Sequence, residues 1–161
     1  MVTDAFLDAI EQCKSLGLKP TLEFGLQTAV KAECGPIKRP NNLKRVREVA
    51  EKLRRRDIAF EVSLIYGLPL QTVESFKESI AFCQSLGMGP NQLKAWPLML
   101  LRGTELDSTE MRRQFRLKES IAAARGGGSE ERVALPLPHV TESTTFSRCD
   151  WETMNEIASA L

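Results

Sequence analysis

Histidine is nearly missing from this sequence. His139, between Pro138 and Val140, is the only one. One histidine in a loop-like stretch gives no Ser-His-Asp set, and surface or loop packing is its expected role. Cysteine is sparse and scattered: Cys13, Cys34, Cys83 and Cys149 include no close pair. Zinc and iron–sulfur sites normally show at least one such pair. The four are therefore expected to be reduced thiols of a cytoplasmic protein, with no metal ligands among them. Excess charge is also missing. A formal net charge of +1 argues against a strongly basic nucleic-acid surface. No stretch approaches the ~20 apolar residues of a membrane span. The N-terminus lacks the basic start of a signal peptide and reads as an amphipathic helix. The glycine run in "RGGGSE" lacks GK[ST] and follows no strand, so it is no phosphate loop.

What is present suits one domain. The chain has 161 residues and 42% hydrophobic content, enough for a core. Residues 4–17 predict a helix, with Ala5, Ala9, Ile10 and Cys13 at helical spacing and Leu16 following; Thr3 or Asp4 caps it and Gly17 stops it. A strand follows at 21–27, then a loop with one helical turn. Asn41 or Asn42 caps a helix over 42–56, whose stripe is Leu43, Val46, Val49, Ala50 and Leu53. Its other side, from Lys44 to Arg56, is strongly basic and reads as a solvated face. Strands at 58–69 and 92–101 flank a helix at 73–86. Residues 109–124 read as helical and the stretch around Gly126, Gly127 and Gly128 as a flexible link. Asp150 caps a last helix with Trp151, Met154 and Ile157 on its stripe. Strands alternating with helices predict an α/β fold with about three parallel strands. That is too few to close an eight-stranded barrel.

In such arrays function gathers at the C-terminal strand ends. The first strand, "LEFGLQT", alternates apolar Leu22, Phe24 and Leu26 with Glu23, Gly25 and Gln27. A polar row then lines one face. Ser63 shares a face with Glu61 and Ile65 on the second strand. Gly67 and Pro69 frame a tight turn, where Leu68 is expected to present backbone polar groups to a flat ligand.

Four landmarks in order, "LEFGLQT", "IKRPNN", "VSLIYGLPLQTVESFKESIAF" and "WPLMLLRGTELD", resemble the second half of a radical S-adenosylmethionine (radical SAM) domain. The resemblance runs from residue 20 to about 107. It is nearest the group associated with a cobalamin-binding domain, and the coproporphyrinogen-dehydrogenase and methylthiotransferase branches share the landmarks. It implies a partial (β/α)6 barrel, of which residues 1–107 are the C-terminal half and 108–161 a helical and loop extension. The family cleaves S-adenosylmethionine on a 4Fe–4S cluster and releases a 5′-deoxyadenosyl radical.

Carried over position by position, the resemblance makes Gln27 a residue facing the cofactor and Arg39 the partner of the cofactor carboxylate. Tyr66, Gly67 and Leu68 become the wall beside adenine. Ser63 takes a position often held by Asp, which binds ribose, and keeps one hydrogen bond there. Glu23 serves the cofactor's amino group or the substrate. Nothing matches CxxxCxxC or the first three strands, so the cluster is not expected in this chain alone. The expected partner is the N-terminal half of the barrel, in the same gene or a separate chain; neither a membrane nor nucleic acid is expected. Catalytic residues are not assigned. The chain reads as a cofactor-binding fragment inactive by itself. The alternative is a degenerate, non-catalytic binding or interaction module of the same fold.

Overall fold

A computed structural model describes residues 2–88, 91–121 and 137–161. Helix α1 (Asp4–Ser15) starts where the Thr3 hydroxyl accepts the Phe6 N–H, and ends before Gly17 at φ +83°. Its anchor is Leu7, fully buried, while Ala5, Ala9 and Leu16 are exposed. The buried side of α1 runs through Leu7 with the half-buried Ile10 and Cys13, and Phe6, Ala5 and Ala9 stay outside it.

Strand β1 (Thr21–Gln27) leads to a single helical turn, α2 (Lys31–Cys34). Asn42 caps α3 (Leu43–Arg55) by accepting the Arg45 N–H. The α3 basic face is solvated as expected, with Lys44, Arg45, Arg47, Lys52, Arg54 and Arg55 exposed, and it carries surface ion pairs to α1: Lys52 bonds Asp4 at 2.9 Å, and Arg56 pairs with Asp8 and Glu11. Strand β2 (Ala59–Tyr66) follows. It stops three residues earlier than expected, because Gly67 at φ +87° turns the chain. Thr72 and Ser75 form a reciprocal capping box at the start of α4 (Val73–Gln84).

Strand β3 (Leu93–Pro97) completes a parallel sheet in the order β1-β2-β3. Together with its flanking helices this is an α/β fold of the kind a partial barrel requires. Phe60, Val62, Leu64 and Tyr66 of β2 point into the core. Tyr66 stacks against Phe76 of α4 and Trp151 of α6 (Arg148–Ser159), so both helices cover that face. By alternation the opposite face carries Glu23, Gly25, Glu61, Ser63, Ile65, Lys94 and Trp96.

Beyond residue 107 the structure departs from the expected helix. Helix α5 (Thr109–Phe115) ends where Arg116 takes a left-handed conformation, φ +49°. Strands β4 (Lys118–Ile121) and β5 (Pro138–Glu142) then pair antiparallel. His139 lies on β5, buried, and not in a loop. The Val140 N–H donates to the Leu98 carbonyl, which attaches β5 to the chain leaving β3. The expected link at 126–128 lies outside the described residues.

Candidate cofactor-binding site at the strand ends

The polar row of β1 does not stand alone. Ser63 Oγ donates to Glu23 Oε1 at 2.6 Å, and Lys94 bonds Glu61 at 2.8 Å. Parallel pairing puts Glu23 opposite Glu61 and Gly25 opposite Ser63. Glu23 itself is exposed. It is a solvated carboxylate with a serine donor.

Gln27 is unusual on three counts. Its φ is +62°, the register of β1 against β2 slips between Gly25 and Gln27, and Thr28 N–H donates to Leu26 O at 2.8 Å. That i to i−2 bond around a positive-φ residue is a γ-turn of the rare, strained type. The side chain folds back over Gly25: a Cβ there would stand 2.5 Å from Gln27 Nε2. Gln27 Oε1 is buried and accepts no hydrogen bond among the described residues. A buried acceptor without a partner among the described residues and a strained backbone thus meet at this one residue.

Asn41 holds this turn. Its Nδ2 donates to Leu26 O at 2.8 Å and Thr28 O at 2.7 Å. Asn41 thus serves β1, and the cap of α3 falls to Asn42 alone.

The second strand end is arranged differently. The Tyr66 side chain lies on the helix side of the sheet, with its hydroxyl donating to Asn155 Oδ1 at 2.7 Å. Leu68 is fully buried. Gly67 N–H and Leu68 N–H both donate to Gln71 Oε1, at 2.7 and 3.2 Å, and Leu68 O accepts the Gln71 N–H. Leu68 therefore does not offer its N–H to a ligand as expected, because Gln71 has taken it. Gly67 is glycine for a steric reason as well: a Cβ would meet Val140 O at 2.9 Å.

Arg39 is exposed. With Glu23 and Gly25 it borders a 400 Å³ cavity along the free edge of β1, whose floor includes Phe24, Val46, Val49 and Phe60. The structure thus brings Glu23 together with Ser63, and Glu23 together with Arg39 at the cavity. It sets Tyr66 and Leu68 into the packing behind. Among the cysteines, Cys34 and Cys83 are buried, and burial pushes the Cys83 thiol up to about 12.

Gln71, Glu33 and Thr28 are fully buried polar residues at these ends. Sequence reasoning assigned no role to Gln71 or Glu33. Glu33 is one acid within a punctuated loop, and alternation does not reach it. Gln71 follows the turn at Pro69 by two residues, with no periodic pattern to mark it.

No family model matches this sequence, and no curated protein gives a significant match. Among solved structures, coproporphyrinogen III oxidase from Escherichia coli, described as a radical SAM enzyme, is similar at 26% identity with a TM-score of 0.44. The match covers 55% of this chain and 20% of that one, so the chain spans about a fifth of that enzyme's length. No described helix is long and apolar enough to cross a membrane.

Proposed function

We propose that this chain is the S-adenosylmethionine-binding half-barrel of a radical SAM enzyme, nearest the cobalamin-associated group on the four sequence landmarks. The observation that carries the reading is Gln27: a strained turn holding a buried, unmatched acceptor at the C-terminal end of a parallel strand. The neighbouring groups suit the amino-acid end of such a cofactor. Glu23 and Gln27 offer acceptors to an ammonium group. Arg39, exposed on the cavity that Glu23 also borders, offers the fork that matches a carboxylate. Ser63 reaches a ribose hydroxyl with one hydrogen bond. Tyr66 to Leu68 form the wall beside adenine through backbone and Cα atoms, since their N–H groups at 67 and 68 are engaged by Gln71.

The described residues bring together no group of three or more His, Cys, Asp or Glu side chains able to hold a metal. In this reading the 4Fe–4S cluster comes with an N-terminal half of the barrel, from the same gene or a separate chain. That half pairs with the free edge of β1 and fills the apolar cavity beside it. Only there is electron input possible, so this chain alone is inactive.

Calorimetric titration of the 161-residue chain with S-adenosylmethionine tests the proposal. Binding is expected to be weak, with Kd in the range of about 0.1–1 mM. Gln27→Ala should abolish it, and Arg39→Ala should weaken it about tenfold, the loss of one charge-assisted pair. A folded chain showing no saturable binding, or binding untouched by Gln27→Ala, would leave the degenerate interaction module as the better account.

A further inference from the structure

The ends of β1 and β2 are joined by a buried polar knot that the proposed ligand contacts do not use. Glu33 is fully buried, and its Oε2 accepts from Thr28 Oγ1 at 2.6 Å and from Gln71 Nε2 at 3.3 Å. Its other oxygen, Oε1, has no partner among the described residues. Gln71 donates also to Ile65 O at 3.1 Å, while its Oε1 receives the Gly67 and Leu68 N–H groups. Ser79 of α4 closes the knot, 3.2 Å from Thr28 Oγ1 and accepting the Ala29 N–H at 3.0 Å.

Stability does not explain this arrangement. Glu33 makes no ion pair among the described residues, and a buried carboxylate with an unsatisfied oxygen costs free energy. Replacing all members of the knot together by apolar side chains of similar shape would be near neutral or stabilising. What the knot does is connect. On one side it grips Thr28, the residue after the strained Gln27 turn. On the other it sets the two amides of the Gly67–Leu68 turn.

We infer that Glu33 and Gln71 are positioning residues that make the two strand ends one mechanical unit. A change at the Gln27 turn is passed through Thr28, Glu33 and Gln71 to the backbone at 67 and 68, and the reverse. This holds whatever ligand occupies the face, so it stands or falls separately from cofactor binding.

Amide hydrogen exchange followed by NMR on the 161-residue chain tests it. Thr28→Val keeps the side-chain shape and removes the hydroxyl. Gly67 and Leu68 do not contact Thr28 through any hydrogen bond, yet their exchange should accelerate by about fivefold or more relative to Leu64 in the core of β2. Glu33→Gln retains a carbonyl acceptor for both donors and should stay within about twofold of the parent. Glu33→Leu should loosen residues 28–29 and 67–68 together. Acceleration confined to residues 28–29 in the Thr28→Val chain, with Gly67 and Leu68 unchanged, would overturn the inference; Thr28→Val decides the matter even if Glu33→Leu fails to fold.

Discussion

Gly17 and Gly67 share a left-handed backbone, at φ +83° and φ +87°, but not the same surroundings. A Cβ on Gly17 would meet nothing within 4 Å, whereas one on Gly67 would press on Val140 O at 2.9 Å. Gly17→Ala therefore carries only the conformational penalty, about 1 kcal/mol. Gly67→Ala adds a clash with backbone that cannot rotate away, and about 2–4 kcal/mol is expected in total. Urea unfolding of the two variants separates the terms; equal losses would mean that the β5 contact is soft. The same pair shows what sequence tells at this scale. "GLP" announces a turn, and the turn is there. That its glycine is pinned by a carbonyl from residue 140 depends on a contact 73 positions away, which no local pattern carries. Gln27 behaves likewise: alternation places it on the polar face, but its bulge and γ-turn come from the Asn41 clamp.

At the scale of elements, helical and strand periods were good guides wherever a long stripe meets a single partner layer. In α4, Val73, Phe76, Ile80 and Cys83 are buried as their spacing requires. In α6, Trp151 and Met154 are buried and Ile157 is half-buried, with Ala158 buried beside it. The failures are short elements. Strand β4 has four residues, too few for alternation to rise above its charged surroundings, and β5 opens on a proline that reads as loop. Helix α5 ends early because Arg116 adopts φ +49°, satisfying the α5 carbonyls of Arg112 and Arg113. A left-handed C-terminal residue is best filled by glycine. Arg116→Gly should therefore stabilise the chain by about 0.5–1 kcal/mol, the relieved strain less the extra freedom of an unfolded glycine. A lower urea midpoint in that variant would show that the arginine side chain contributes more than its backbone costs.

For the whole molecule, the question is how the C-terminal segment, weakest in sequence signal, is bound to the sheet. Thr145 Oγ1 donates to Gln71 O at 2.7 Å, Tyr66 reaches Asn155, and Val140 bonds Leu98. His139 sits within this closure, 3% exposed. Burial moves its imidazole pKa down from the usual 6.5, against the opposing pull of Glu119 and of the Leu137 backbone. The folded chain thus prefers the neutral ring. As pH falls below about 6.5, the unfolded chain takes up a proton that the folded chain still refuses, and stability declines. The decline flattens once the folded form also protonates. Urea midpoints between pH 7.5 and 5 should show that acid-side loss, and His139→Gln should remove much of it while leaving the slope above pH 7 unchanged. If the parent and variant curves run parallel through this window, the closure of β5 on the sheet is insensitive to the ring's charge. Acid weakening must then originate in the carboxylates, such as Asp4, whose hydrogen bond to Lys52 holds its pKa down and whose contribution is lost at lower pH.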